Sequence, residues 1–492
     1  MPPDHQPEPI EERRASGSEL VPEVFVDEVA GSDRGLSGEA GGRAAAHDPY
    51  AALRIRNYRL FASGFVCSST GLQMLSAAVA WEVWQRTHDP WFLGLVGLVR
   101  AAPVVALALV AGQLIDMLPR KAILIVTQLA FALAALAMAV ASWAHAPIWA
   151  FFLLIFIAGC ARSFNGPTRS SLLPALVPAD VFHNAITWNS GVFQFSAIVG
   201  PLAAGVLLQW TNASWPVYVC TAVLCGALAF TAGLLEPRAS APSTARFSVD
   251  SALAGLNHIR RERVVLAAIT LDLLAVLFGG ATALLPIYAE QILDVDAVGY
   301  GALRAAPFVG ALLMALVLAH RPPFKRSGAT LLLAVAGYGV SMFVFGISGN
   351  FLLSLAALGL GGALDNISVV IRHVLVQART PDHLRGRVGT VNSVFIECSN
   401  ELGGFESGSV ARVAGRWYGE TAGAMISVVS GGIGTLFVVA GVALAWPQLR
   451  TLGTLIVRDD PTPPAPPPPP NPAATARTAD ARGASVDAAQ TG

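Results

Sequence analysis

Residues 98–109, LVRAAPVVALAL, decide the class of fold, because this apolar stretch keeps a single charge, Arg100. Residues 302–313, ALRAAPFVGALL, repeat the Arg-Ala-Ala-Pro pattern at Arg304, at an offset of 204 residues (304 − 100). A charge at the centre of a bilayer costs about 2.5 to 3.5 kcal/mol on insertion scales. Two arginines at matching positions of apolar segments therefore predict a membrane protein with an internal repeat.

The composition of the 492-residue chain agrees with a membrane location. Hydrophobic residues make up 54% and charged residues only 13%, whereas soluble proteins have about 25% charged residues. A formal net charge of zero argues against a nucleic-acid partner held by a basic surface. The five cysteines lie in apolar stretches without neighbouring histidines, which indicates buried residues and no metal site.

The length of the apolar stretches predicts an all-α integral membrane protein. A bilayer core about 30 Å thick requires roughly 20 apolar residues per helix, and twelve segments meet this requirement. They are residues 58–84, 91–115, 122–143, 147–169, 181–209, 215–235, 264–288, 298–320, 328–347, 350–375, 388–410 and 421–447. An even number of spans places both tails on the same side of the membrane.

Basic residues in the connections indicate which side that is. Arginines and lysines follow most of the even-numbered spans, whereas the opposite side has few; the basic residues include Arg120, Lys121, Arg260, Arg261, Arg326 and Arg387. Since cytoplasmic loops carry the excess of positive charge, both termini are predicted to be cytoplasmic.

The spans divide six and six around the longest connection. The predicted segments are a flexible cytoplasmic N-terminal tail (1–56), a six-helix bundle (57–235), a cytoplasmic linker (236–263), a second six-helix bundle (264–447) and a Pro-rich disordered C-terminal tail (448–492). Within the linker, Leu253, Leu256 and Ile259 follow helical spacing ahead of a basic cluster. This segment is either an interfacial amphipathic helix or an ordinary helical loop.

A register of 203 residues relates the two bundles. It aligns Gly159 with Gly362, Arg169 with Arg372, Gly200 with Gly403 and Gly205 with Gly408. Two similar six-helix halves joined by a cytoplasmic linker are typical of transporters built from parallel repeats.

The charged residues inside the spans are the candidates for function. Spans three, six, nine and twelve contain none, so these helices can face lipid. The candidate proton or substrate residues are Arg162, Asp272, Asp365, Glu397 and Glu401, and Glu406 also falls inside a span. Arg100 and Arg304 are either a latch where the two halves meet, which we prefer, or direct contacts to the substrate.

The connection after the second span, GQLIDMLPRK (residues 112–121), resembles the cytoplasmic loop motif of the major facilitator superfamily. Met117 stands where that family commonly has a basic residue, and Pro119 where it has glycine. The resemblance implies a charge network that holds the inward-closed conformation, formed by Gly112, Asp116, Arg120 and Lys121.

Residues 196–205, SAIVGPLAAG, look like the antiporter motif of the same superfamily. Gly200, Pro201 and Gly205 match, while Ser196 and Ala204 replace glycines by other small residues. The resemblance implies an exporter, although small residues also serve ordinary close packing.

Three further stretches resemble the branch that contains the enterobactin exporter and macrolide efflux proteins. They are PDHLRGRVGTVNSVF (381–395), LNHIRRERVV (256–265) and ALLPIYAE (283–290). This resemblance implies a protein of the bacterial inner membrane that exports a drug-like or siderophore-like small molecule. An importer of a small metabolite on the same scaffold is the alternative.

The family layout implies a cavity lined by spans one, four, seven and ten. Arg162 and Asp365 occupy equivalent positions at the register of 203, so they are expected to meet across it. A proton carrier needs a carboxylate whose pKa is raised toward neutrality, as burial can do. Glu397 and Glu401 lie one helical turn apart, where like charges favour protonation of one; Asp272 is the rival.

No enzyme activity is expected from these residues, and no catalytic residue or cofactor is assigned. The only lysines, Lys121 and Lys325, do not follow glycine, so the phosphate-binding loop of ATP-driven pumps is missing. The expected partners are the lipid bilayer, a small-molecule substrate and protons.

Overall fold

The computed structural model of the chain describes residues 48–238, 249–322 and 324–453. Most of both predicted tails therefore lies outside the described residues, which contain helices and no strand. The long helices are α1 Arg56–Thr87, α2 Pro90–Met117, α3 Arg120–Trp143, α4 Ile148–Leu176, α5 Phe182–Thr211, α6 Trp215–Gly233, α7 Arg263–Phe278, α8 Ala297–Ala319, α9 Ser327–Ile347, α10 Phe351–Arg379, α11 Asp382–Tyr418 and α12 Glu420–Ala445. A linker helix, Val249–Arg261, precedes α7.

Each predicted span coincides with one of these helices to within a few residues at most boundaries. Within the described part of the chain, ten helices are long and apolar enough to cross a membrane, and α1 and α11 are not among them. Helix α1 contains the polar run Ser68 to Thr70, and α11 carries three glutamates and several arginines. Polar side chains lower the hydropathy of these two helices without shortening them.

Local signals explain where α2 and α8 begin. Asp89 accepts a hydrogen bond from the Trp91 backbone N–H at 2.9 Å, with Pro90 at the first helical position. Asp296 accepts one from Gly299 N–H at 2.9 Å. Aspartate at this position satisfies a free N–H group of the first turn and interacts favourably with the helix dipole.

The seventh span is irregular, whereas the sequence predicted one continuous helix over residues 264–288. Helix α7 ends at Phe278, a 3₁₀ turn covers Gly280–Leu284, and a π-helical turn covers Tyr288–Ile292. Pro286 lies between the two turns and has no N–H to donate. The π-helical turn carries Glu290, a residue that contacts α1.

For description we group the helices by chain order into a first set, α1–α6, and a second set, α7–α12. In the first set α1 packs on α5 and α6, α2 on α4, and α3 on α4 and α6. In the second set α8 packs on α10, α9 on α10 and α12, and α11 on α7 and α12. The sets meet where α2 packs against α11 and where α5 packs against α8. We call these two contacts the α2–α11 junction and the α5–α8 junction.

The two ends of the helices differ. At one end, which we call the closed end, Trp84 donates a hydrogen bond to Glu290 and Arg412 pairs with Asp89 at 3.4 Å. Both contacts join the two sets. Both ends of the described chain lie at the opposite end, the terminal end, where Trp188 donates to the Pro49 carbonyl at 2.9 Å.

The charge-free helices expose large apolar side chains. Leu133 of α3, Phe230 of α6, Leu333 of α9 and Phe437 of α12 are each at least 66% exposed. Such faces agree with the prediction that these four helices can face lipid.

The linker helix packs against α11. Ile259 is buried beside Val388, and Gly255 approaches the Arg387 backbone, whereas Leu253 is exposed. The sequence predicted these apolar side chains on one face of the helix. In the structure Ile259 packs on α11, whereas Leu253 is exposed.

Candidate functional site

Ser76 of α1 is where the two repeat-related arginines meet. Arg100 of α2 donates to its hydroxyl oxygen at 3.1 Å, and Arg304 of α8 donates to the same oxygen at 2.7 Å. Both arginines lie inside apolar helices, so each needs a polar partner. The matching positions of Arg100 and Arg304 thus place both guanidinium groups at one hydroxyl between the two sets.

The other partners of the two arginines differ in charge. Arg100 forms an ion pair with Glu401 of α11, with 3.3 Å between Nε and Oε1. Arg304 has Tyr300 as its second partner, with 3.4 Å between Nη1 and the phenol oxygen. Tyr300 in turn donates to the Ala77 carbonyl at 3.0 Å. Among the described residues, Arg304 therefore has hydroxyl partners and no carboxylate.

A second ion pair lies one helical turn from the first. Arg162 of α4 contacts Glu397 of α11 at 2.8 Å. The side chains of Arg162 and Glu397 are 40% and 46% exposed, whereas those of Arg100 and Glu401 are 26% and 16% exposed. We call these two pairs the arginine–glutamate ladder. It joins α11 to two helices of the first set, and one of its two ion pairs is partly exposed while the other is more enclosed.

The expected contact between Arg162 and Asp365 is not present in this conformation, because Arg162 pairs with Glu397 instead. Asp365 lies half-buried on α10, and no cation of the described residues pairs with it. The register of 203 pairs the two positions along the chain, but α11 supplies the acid that reaches Arg162.

Asp272 lies in a different environment from the ladder. It forms a buried ion pair with Arg372 that joins α7 to α10 inside the second set, and the two side chains are only 8% and 3% exposed. The first set has Arg169 at the position equivalent to Arg372 at the register of 203. Arg169 instead lies over the Phe65 ring, with its guanidinium carbon 4.4 Å from the ring centre.

The basic pair that follows the loop after α2, and that begins α3, contacts its own set. Arg120 donates to the Ser171 carbonyl of α4 at 2.9 Å, and Lys121 donates to the carbonyls of Gly233 and Leu235 at 2.7 Å each. The last carbonyls of a helix such as α6 attract cations. Gly112 lies in α2, whereas the Asp116 side chain lies outside the described residues. In this conformation the loop therefore places its positive charges on α4 and at the end of α6.

The antiporter-like motif lies at the α5–α8 junction. Gly205 packs so closely on the Ala297 carbonyl of α8 that a side chain would collide with it, and the Pro201 carbonyl faces Gly301. Gly200 faces the opposite neighbour, α1, at Thr70. Small residues of this kind let two helix backbones touch.

The α2–α11 junction is built in the same way. A Cβ atom added to Gly97 would lie 2.7 Å from the Glu401 carbonyl oxygen, and one added to Gly408 would lie 2.8 Å from the Gly94 backbone. Gly408 corresponds to Gly205 at the register of 203. The repeat is thus visible in the contacts as well as in the sequence.

Sequence reasoning did not find Ser76, Glu290, Asp89 or Arg412. Serines and loop-end charges are common, so none of these four residues stands out along the chain. Among the residues that the structure describes, no group of three or more His, Cys, Asp or Glu side chains could hold a metal ion.

Comparisons with known protein sequences identify a family and relatives that this chain resembles. Residues 61–405 match the sequence pattern of the Major Facilitator Superfamily. The Enterobactin exporter EntS of Shigella boydii serotype 4 (strain Sb227) is 25% identical over 333 residues, which cover 67% of this chain and 79% of that protein.

Solved structures share the fold. A bacterial homolog of the human lysosomal transporter Spinster, in an inward-facing and unoccupied conformation, gives a TM-score of 0.62 at 14% identity, with 80% of this chain and 98% of that chain covered. The nucleoside transporter NupG also gives 0.62 at 14% identity, with 80% and 99% covered. Identities this low relate the folds and not the substrates.

Proposed function

The chain belongs to the major facilitator superfamily, and from this we propose that it exports a drug-like or siderophore-like small molecule across the bacterial inner membrane in exchange for protons. Family membership makes the chain a multi-pass membrane transporter and not an enzyme. The direction of transport, the coupling to protons and the class of substrate are the proposal.

The proposed architecture has twelve spans in two six-helix halves, residues 57–235 and 264–447, joined by the linker 236–263. Helices α1 and α11 are included because they pack among the ten apolar helices over most of their length. The proposed topology places the terminal end, with its basic loops, in the cytoplasm. The closed end, where Arg412 pairs with Asp89, then faces outward.

Two observations favour export over import. The Shigella boydii relative, 25% identical to this chain, is named an enterobactin exporter. The antiporter-like motif on α5 packs at a junction between the halves. The alternative, import of a small metabolite, uses the same fold, which the nucleoside transporter shares.

The arginine–glutamate ladder is the observation that supports proton coupling. Both carboxylates belong to the second half, and both arginines to the first. Opening the closed end separates α2 from α11, so Glu401 and Glu397 lose their counter-charges and bind protons from outside. Closing that end returns the arginines, which favour the charged carboxylates, and the protons leave to the cytoplasm.

Neutralising the ladder should uncouple transport from the proton gradient. Glu401→Gln and Glu397→Gln are each expected to lower proton-driven uptake into everted vesicles by about tenfold or more, because a charge-assisted contact is lost and no proton is exchanged. Glu406→Gln, on the same helix but outside the ladder, is the matched control and should keep near-normal uptake. Ethidium, erythromycin and a catechol siderophore are the probes, with the vesicle interior acidified.

The vesicle experiment also tests the direction of transport. Accumulation of a probe that stops when the gradient is collapsed supports export. Proton-driven movement of every transported probe out of the everted vesicles would instead support import, and accumulation unaffected by collapse would contradict proton coupling.

The partner of Arg162 can be tested by exchanging charges. Arg162→Glu alone is expected to reduce uptake by about tenfold or more, because two carboxylates then face each other. Adding Glu397→Arg should restore part of the activity, whereas adding Asp365→Arg should not. If only the Asp365 exchange restores activity, transport depends on a contact between Arg162 and Asp365 and not on the Arg162–Glu397 contact of this conformation.

A further inference from the structure

We infer that the transported compound carries a negative charge, as a carboxylate or an ionised phenol, and that Arg304 is the residue that receives it. This inference rests on the proposed function, since it concerns the substrate of the same site. It assigns to Arg304 a binding role in addition to its contact with Ser76.

The first argument is the local balance of charge. Among the residues that the structure describes in contact with Ser76 or within the ladder, there are three guanidinium groups, those of Arg100, Arg162 and Arg304, and two carboxylates, each of which already pairs with an arginine. Arg304 contacts the hydroxyls of Ser76 at 2.7 Å and Tyr300 at 3.4 Å. A guanidinium inside an apolar helix that has only neutral partners remains costly, so an added anion is favoured at this point.

The second argument is geometry. Arg100 and Arg304 both bond to the same oxygen atom, so their guanidinium groups converge from opposite halves on one small polar group. A carboxylate offers two oxygens and accepts two donors at once, and hydrogen bonds to an ionised acceptor are roughly twice as strong as those to a neutral one. An anion can therefore take the place of the Ser76 hydroxyl with a net gain.

The third argument is access. Ser76 and Arg304 are half-buried, not sealed, and they lie beside the ladder, whose Arg162–Glu397 rung is the more exposed one. A compound that enters from the terminal end reaches this rung first and Arg304 next, before the contacts of the closed end. A cation that reaches the ladder meets two carboxylates that already pair with arginines, whereas an anion that reaches Arg304 displaces only a hydroxyl.

The experiment uses three probes of one size and different charge. These are 2-naphthoate, 2-naphthamide and 2-naphthyl-trimethylammonium, each titrated onto the purified full-length protein in lipid nanodiscs with binding followed by tryptophan fluorescence. Naphthoate is expected to bind the unmodified protein about tenfold or more tightly than the other two probes. Arg304→Gln should remove this preference, Arg304→Lys should keep part of it, and Arg416→Gln, an exposed arginine near the closed end, should leave it unchanged.

Ser76→Ala separates a binding role from a latch. If Arg304 only holds α8 to α1, Ser76→Ala and Arg304→Gln remove the same contact and have the same effect on binding. If Arg304 receives the anion, Ser76→Ala frees both arginines and keeps or strengthens naphthoate binding, whereas Arg304→Gln abolishes it. Equal binding of the three probes, including no binding of any, would overturn the inference, as would tightest binding of the cation.

Failure of this inference is distinguishable from failure of the proposed function. Proton-driven accumulation of ethidium, a cation, together with no preference for naphthoate would keep the exporter and remove the anion site. Charge-selective binding of naphthoate by a protein that moves no probe against a gradient would keep the anion site and contradict the proposed export.

Discussion

Asp272→Asn is expected to lower the free energy of unfolding by about 3–5 kcal/mol, the largest stability effect of any single substitution proposed for this chain. The Asp272–Arg372 pair lies inside the second set with both side chains at most 8% exposed. Removing the carboxylate leaves the Arg372 charge buried without a counter-charge. Thermal denaturation of the detergent-solubilised protein, followed by size-exclusion chromatography, measures the loss.

A double substitution tells a structural pair from a functional one. Asp272→Leu with Arg372→Met removes both charges and fills similar volume, so stability should return to that of the unmodified protein or above it. Transport by this variant should then be near normal. A stable double variant that transports nothing would instead assign Asp272 to the proton pathway, as the sequence allowed.

Gly97→Leu is expected to hold the closed end open. A side chain at this position collides with the Glu401 backbone across the α2–α11 junction, where a Cβ atom would lie 2.7 Å from the carbonyl oxygen. Overpacking of this kind costs about 1–3 kcal/mol, which shifts a conformational equilibrium by roughly 5- to 150-fold. Transport should fall accordingly, because the closed conformation is then less populated.

Cross-linking measures the shift directly. Asp89→Cys and Arg412→Cys replace two residues whose Oδ2 and Nη2 atoms lie 3.4 Å apart. A bismaleimide that bridges about the length of the lost arginine side chain should cross-link them readily when the five native cysteines are replaced. Adding Gly97→Leu should reduce the cross-linked fraction strongly. Gly226→Leu on α6, where an added Cβ meets nothing within 4 Å, is the control. Unchanged cross-linking in the Gly97 variant would show that α2 and α11 separate without opening the closed end.

The positions of the helices were predictable because bilayer thickness sets a length that apolar stretches display directly. The break after α7 could not be predicted from the sequence, because it depends on a tertiary contact. At this point Gly280 lies directly against the Gly403 backbone of α11. A run of apolar residues around Pro286 gives no sign of which backbone lies opposite.

The charges were harder to place than the helices. The register related Arg100 to Arg304, but the sequence does not indicate that both reach Ser76, because a small hydroxyl on another helix carries no signal of its own. Arg162 and Asp365 are equivalent positions, yet Glu397 is the acid that contacts Arg162. Register states which residues correspond; the rotation of each helix about its axis decides which of them meet.

The two halves differ in one respect that bears on how they move. Arg372 is tied to α7 through Asp272, whereas its counterpart Arg169 lies over the Phe65 ring. Helices α7 and α10 are therefore expected to turn as one stiff block, while α1 and α4 can flex against each other. Most of the bending in each transport cycle then falls on the amino-terminal half.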